Sequence, residues 1–416
     1  MIYSIIESIL DLGPSVMLPI MILILGLFFR MKFGRALKAG LLVGIGFQGL
    51  NLVIGLLMST ISPATKYYEA MGSGFTTVDM GFAAIGGASW AVPFAPIAVF
   101  LIFLINIILL RLKKVNVMNV DIWNFIHFLI PGAMAYALFG SALLGLAITL
   151  ILSVVTLFVS EKIAPKWQEY FGLEGTTCST FSYITLVYPI AFIVNKLIDK
   201  IPGINKVDIS MDNIAEKLGI LGEPSVIGLI VGMFLGVLTK QNWTTCLSMG
   251  MGIAAVLILI PRMVSVMMEG LSVIGSAAQS YMRTKIGEEA ELNIGMDIAL
   301  GLGEPVVVTV TVLCLPLVIL YSFLIPNMTY FPVGMLAGVC YVIPMCAMTS
   351  KGNMLRTFLT SAVNLFIIVL LSNYFAPEAT AMMNITGVEV GGMVTDGFFG
   401  YNIGNIIIGF LSRIIN

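Results

Sequence analysis

Apolar runs of about 20 residues recur along almost the whole chain, and that is the length a helix needs to cross the hydrocarbon core of a bilayer. Hydrophobic residues fill 59% of the 416 positions and charged residues only 10%. Polar stretches between the runs seldom exceed about 20 residues, too short to build a separate core. Lipid offers no partner for backbone polar groups, so runs of this kind close their hydrogen bonds internally as helices. The sequence therefore predicts an all-α polytopic membrane protein with no appended soluble domain.

Several function classes drop out on composition. The net charge is −1 and the basic residues sit in short loops, so no nucleic-acid partner is expected. Cys178, Cys246, Cys314, Cys340 and Cys346 form no close ligand pair. Neither a disulfide, a metal nor a cofactor is expected. The N-terminus lacks the basic and small-residue features of a removable signal, so its first helix is expected to stay.

Hydropathy windows place full-length candidates at 14–29, 36–59, 93–110, 122–140 and 142–160, then at 220–239, 244–268, 306–325, 332–349, 356–375 and 398–413. Three further apolar segments, 76–92, 173–198 and 292–305, carry Gly, Pro, Ser, Thr and single carboxylates and read as broken. Arg30, Lys32, Arg35, Lys38, Arg111, Lys113, Lys114, Arg283, Lys285, Lys351 and Arg356 can all face the cytoplasm if the broken segments enter the membrane and return. About 11 transmembrane helices plus re-entrant hairpins follow, with the N-terminus outside and the C-terminus inside. If 173–198 crosses instead, the count becomes twelve.

Leu12-Gly13-Pro14-Ser15-Val16 and Leu221-Gly222-Glu223-Pro224-Ser225-Val226 open similar helices in the two halves. Glu174 and Glu389, and Asp79 and Asp297, extend the correspondence in the same order. An odd number of crossings between the copies makes them inverted repeats, residues 1–205 and 206–416, the arrangement of alternating-access transporters.

The broken segments are the candidate binding elements, because irregular backbone at membrane depth must line a cavity or be buried in protein. Segment 292–305 supplies Asp297 and Glu304, and Pro305 suits the start of the next helix. Glu304 can equally cap that helix. Ser89 stands just before Pro93, at the expected tip of the first hairpin, where a capping role competes with ligand contact. His127 is the only histidine and can donate, accept or titrate, or simply be a satisfied core residue. Glu174, Cys178, Ser179 and Thr180 open the third broken segment as ligand contacts or as a capped loop. Glu223 favours local capping. Gly44, Gly46 and Gly49 match a dinucleotide fingerprint, but lie within an apolar helix with no preceding strand; with Gly40, Gly228, Gly232 and Gly236 they suit close helix packing.

The stretches Asp11–Ile20, Val117-Met-Asn-Val-Asp-Ile-Trp-Asn124, Gly172-Leu-Glu-Gly175 and Ile294-Gly-Met-Asp-Ile298 resemble the galactitol-type membrane (IIC) component of the phosphoenolpyruvate-dependent phosphotransferase system, in the superfamily that includes the ascorbate transporter. The likeness spans residues from about 8 to 412. It implies a homodimer in the bacterial inner membrane, with a scaffold (helices 9–60 and 219–270) and a mobile, elevator-type core (76–198 and 292–413). It also implies a polyol or sugar substrate, phosphorylated by a cysteine on a separate cytosolic B component that is charged through a histidine on an A component. By motif position it points to Ser89, His127 and Asp297 as binding residues, Asp297 doubling as candidate base. Where such proteins commonly carry a histidine, this chain reads Thr176-Thr-Cys-Ser-Thr-Phe-Ser-Tyr183. The competing reading is an ion-coupled secondary transporter using Asp297, Glu304 or His127 with Na⁺ or H⁺. A passive channel suits paired broken hairpins less well.

Overall fold

The computed structural model describes residues 14–72, 74–121, 123–204, 207, 209, 223–286, 292–385 and 392–415. Among the described residues the two halves carry the same helical corner. In the first, α1 (Pro14–Phe28) runs to a turn and α2 (Phe33–Met71) returns from it. Proline at the start of α1 costs no helical bond and fixes φ for the first turn. The reversal places Arg30 at φ +62°.

The first core part follows with α3 (Gly81–Trp90), α4 (Ala95–Arg111), α5 (Trp123–Phe139) and α6 (Ala142–Phe171). α6 is held at one end by Ser141, whose Oγ accepts the Leu144 N–H, and at the other by Gly172 in the left-handed region. A π-helical turn at Tyr183–Val187 leads into α7 (Tyr188–Ile198). The second half repeats the corner with α8 (Pro224–Leu238) and α9 (Trp243–Ile286), Lys240 taking φ +55° at the turn. Pro14 and Pro224, Arg30 and Lys240, and Phe33 and Trp243 are each 210 residues apart.

The remaining elements are a 3-10 turn at Ile298–Gly303, α10 (Pro305–Leu324), a 3-10 turn at Gly334–Gly338, α11 (Val339–Thr349), α12 (Met354–Tyr374), α13 (Ala376–Ile385), α14 (Phe398–Tyr401) and α15 (Ile403–Ile415).

The four corner helices form one group, with α2 against α9, α1 against α2 and α8 against α9. Glycines set its spacing. A Cβ on Gly44 of α2 would lie 2.2 Å from Pro19 Cγ of α1, and one on Gly232 of α8 would lie 2.5 Å from the Met249 carbonyl oxygen of α9. In lipid, where apolar faces gain little from meeting one another, such close approach and its dispersion contacts hold helices together.

Among the described residues, five short strands join the two halves. They are β1 (Val78–Asp79), β2 (Val117–Asn119), β3 (Thr176–Cys178), β4 (Asn293–Met296) and β5 (Val394–Thr395), all paired in parallel. β4, from the second half, lies between β2 and β3 of the first. Conversely, Val78 of β1 pairs with Val394 of β5 while Thr77 beside it bridges to Tyr330, so a first-half segment lies between two from the second half. The registers match: Gly295 faces Asn119 and Met296 faces Cys178, as Thr77 faces Tyr330 and Val78 faces Val394. Asp79 and Asp297 thereby occupy corresponding positions at the ends of exchanged strands.

Two expectations are met in part. The fold is mostly helical and not purely so, because strands of two to four residues are too short to leave a period-two pattern. Eleven full-length spans were expected; among the described residues five helices are long and apolar enough, and the α3–α4 pair, bent by 87° at its break, makes a sixth if counted as one span. Shorter apolar helices stand at other expected positions, at 19–28, 124–139, 225–238, 334–349 and 403–415, and a further one, at 183–198, lies within the segment read as broken. A helix of about 15 residues covers only about 22 Å of a core about 30 Å thick. Glu389, and the Leu-Gly pairs at 12–13 and 221–222, lie outside the described residues.

Candidate functional site

A cavity of about 370 Å³ opens where the corner helix α2 meets the core. Phe47, Asn51, Ile54 and Met58 of α2 form one wall. The opposite wall carries Phe82, His127, Tyr183, Asp297, Tyr341, Asp396 and Tyr401. Both halves contribute, as strand exchange requires: each broken segment turns from strand to helix here, and the turn exposes its first residues.

Asp297 is held by that turn. Its Oδ1 accepts the Ala299 N–H at 2.8 Å, an N-cap bond to the 3-10 turn, and its Oδ2 lies 3.1 Å from Thr180 Oγ1. Thr180 Oγ1 in turn accepts the Ile298 N–H at 2.8 Å and lies 2.9 Å from Asn124 Oδ1. A carboxylate fixed by N–H and O–H donors keeps further lone pairs for a ligand.

The other sheet repeats the motif with different residues. Asp79 Oδ1 accepts the Gly81 N–H at 3.1 Å, and its Oδ2 accepts Tyr330 O–H and Met335 N–H at 2.9 Å each. Asp396, one residue before the N-cap of α14, accepts the Phe398 N–H on Oδ1 at 2.7 Å and faces the cavity itself.

His127 is fixed from behind. Its Nδ1 lies 2.8 Å from Ser182 Oγ, and Asn402 Nδ2 donates to both Ser182 Oγ and the His127 carbonyl at 2.9 Å. The rings of Phe82, Tyr183 and Phe398 surround the imidazole with centroids 5.8, 5.8 and 5.0 Å away. Nε2 is left as the ring nitrogen for a ligand. Tyr183 and Tyr401, one from each half, stack with centroids 5.1 Å apart.

His127 and Asp297 thus line one cavity, and the other residues singled out in the sequence lie elsewhere. Ser89 is fully buried in the last turn of α3 and donates to the Gly86 carbonyl at 2.7 Å. Ser179 is buried between strands, accepting from Asn124 Nδ2 at 2.8 Å with Asn119 Oδ1 3.1 Å away. Glu174 is exposed between α6 and β3. Glu304 stands half-buried at the start of α10. In both hairpins the strand end faces the cavity, and the corner where the two helices meet does not.

Asn51, Asp396 and the tyrosines were not anticipated. Asn51 did leave a signal, as one of two amides, with Gln48, inside an apolar run. So did Asp396, since Val394-Thr-Asp-Gly397 before an apolar helix has the same strand-then-cap order as Gly295-Met-Asp297-Ile. No Lys or Arg is among the described lining residues, so the cavity offers acceptors, one imidazole and aromatic faces, a set suited to a neutral hydroxylated molecule.

Residues 8–392 match the family described as "PTS system sugar-specific permease component". The chain is 34% identical over 401 residues to the "PTS system galactitol-specific EIIC component" of Escherichia coli (strain K12), covering 95% of this chain and 87% of that protein. The protein of the same name from Escherichia coli O157:H7 matches to the same extent. A match of this length, on a membrane fold whose cavity suits a neutral hydroxylated solute, places the chain in the family of phosphotransferase-system (PTS) sugar-specific permease components.

Proposed function

We propose that this permease binds a galactitol-like polyol in the cavity between α2 and the core, and carries it across the bacterial inner membrane with phosphorylation by a separate cytosolic B component. The observation that carries the reading is the meeting of Asp297, Asp396 and His127 with the Tyr183–Tyr401 stack in one cavity of about 370 Å³. Small-molecule sites span about 300–1,000 Å³, and a volume at the low end fits a single sugar unit. Carboxylates accept hydroxyl hydrogens, imidazole returns one, and the aromatic faces cover the C–H surface.

In this reading the core, residues 76–198 and 292–413, moves against a scaffold of corner helices as an elevator, in a homodimer. The position of the cavity on the boundary between the two groups supports it: a solute held mainly by the core can travel with it past α2. Once the site faces the cytosol, the solute hydroxyl oxygen attacks the phosphorus of a phosphocysteine on the B component. The S–P bond breaks as the O–P bond forms, the thiolate leaves, and the hydroxyl proton passes to a carboxylate, for which Asp297 is the candidate. The product carries negative charge in a cavity whose described lining holds no Lys or Arg to pair with it, and the cost of keeping that charge out of water favours its release into the cytosol.

Proteoliposomes test this against ion-coupled transport. Galactitol is expected to be taken up as its phosphate only when the B component and a phosphoryl donor are present on the cytosolic side. Accumulation of unmodified galactitol driven by a Na⁺ or H⁺ gradient alone would overturn the proposal.

A further inference from the structure

We propose that Ser182 and Asn402 are positioning residues that lock His127 in the tautomer protonated on Nε2, so that His127 donates a hydrogen bond to the solute and does not act as its base. The inference rests on the sugar-binding reading of the cavity, and hydrogen counting carries it.

Asn402 comes first, because its amide orientation is settled by its neighbours. Oδ1 accepts the Gly404 N–H at 2.9 Å and the Asn405 N–H at 3.3 Å, which leaves Nδ2 as the donor on the other side. That nitrogen spends its two hydrogens on the His127 carbonyl and on Ser182 Oγ, both at 2.9 Å. Ser182 Oγ therefore already receives one hydrogen and still has its own to place. Among the described residues its other partner is His127 Nδ1, at 2.8 Å.

An Nδ1 that accepts this hydrogen is unprotonated, and a neutral imidazole then carries its single hydrogen on Nε2. The alternatives fail on the same count. A ring protonated on Nδ1, or on both nitrogens, would aim a second donor at Ser182 Oγ and strand the hydroxyl hydrogen in a buried site, at a real cost. Asn402 belongs to the second half of the chain while Ser182 and His127 belong to the first, so the tautomer depends on the two halves being docked. With the donor supplied by His127, the acceptor for the hydroxyl proton falls to a carboxylate of the cavity.

His127 is the only histidine in the chain, so its ring nitrogens can be read without assignment. Untagged protein labelled with [¹⁵N]histidine and examined by NMR in the absence of sugar is expected to show a protonated Nε2 and an unprotonated Nδ1. In Ser182→Ala the preference is expected to relax to a mixture, with galactitol binding about tenfold weaker, the loss of one oriented hydrogen bond. Ser182→Thr, which keeps the hydroxyl, is expected to restore both. Nδ1-protonated or doubly protonated histidine in the unmodified protein overturns the proposal, as does an unchanged tautomer in Ser182→Ala. Should Ser182→Ala fail to fold, the spectrum of the unmodified protein decides alone. That spectrum needs no substrate, so it stands if galactitol proves to be the wrong ligand. Conversely, phosphate-coupled uptake by a protein with Nδ1-protonated His127 would keep the transport reading and sink this one.

Discussion

Asp297→Asn is expected to lower phosphate-coupled galactitol uptake by about 100-fold or more while leaving the protein folded. A hydrogen bond to a charged acceptor contributes about 1.5–3 kcal/mol, and about 2.7 kcal/mol is 100-fold in binding. The substitution should spare the fold because an amide oxygen at this position can still accept the Ala299 N–H that starts the 3-10 turn. What disappears is the charged acceptor beside Thr180 and, with it, the candidate base. Binding measured by calorimetry and uptake measured in right-side-out vesicles loaded with the B component and a phosphoryl donor should both fall, with the melting temperature close to that of the unmodified protein. Uptake at the unmodified rate would remove Asp297 from the site.

Gly295→Val is expected to have the largest effect on folding and to abolish galactitol binding with it. Gly295 lies in β4, the strand from the second half held between β2 and β3. A Cβ there would meet Ser179 Oγ at 2.7 Å and Asn119 Cα at 3.0 Å. The second contact is backbone, so relief requires the strands to part, and overpacking of this kind costs about 1–3 kcal/mol. Asp297 stands two residues along the same strand path and would be displaced. The corresponding position in the other sheet provides the control: Thr77 already carries a side chain, and Thr77→Val removes only the contact of its Oγ1 with Thr329 Oγ1 at 2.8 Å. That loss is expected to be about 1 kcal/mol. Thermal melts in detergent, followed by binding on the surviving fraction, would separate the two. Equal melting temperatures for the two variants would argue against the strand exchange as drawn.

The sequence was most informative where one physical signal dominated. Long apolar runs located α10 and α12 to within two residues, and Pro305 marked the start of α10, whereas the run expected at 220–239 begins its helix only at Pro224. The runs stated less about length beyond the membrane: α2 continues from the expected 36–59 through Lys66 and Glu69 to Met71, because a helix leaving lipid needs no apolar surface to go on. α13, with Pro377 and Glu378 in its first turn, gave no hydropathy signal at all.

Of the residues lining the candidate cavity, His127 and Asp297 were legible as isolated polar groups in apolar surroundings, which are costly to keep without a role. Tyr183 and Tyr401 were not, since a tyrosine in an apolar run reads as packing until its neighbours are known. Asp396 stands just before the expected span 398–413 and was not singled out. It reaches the cavity because β5 pairs with β1, a contact between residues more than 300 positions apart with no local signature. Ser89 and Ser179 do not line this cavity, for a related reason: a hydroxyl in a broken segment can close the segment's own hydrogen bonds as readily as face a ligand.

The claim beneath all of this is that the broken segments of the two halves surround one sugar site against α2. A cryo-electron-microscopy structure of the protein with galactitol tests it most directly. The account predicts density for the sugar between Asp297, Asp396 and His127, with Asn51 of α2 on the opposite wall. Galactitol bound elsewhere, with this cavity closed by its own side chains, would contradict it.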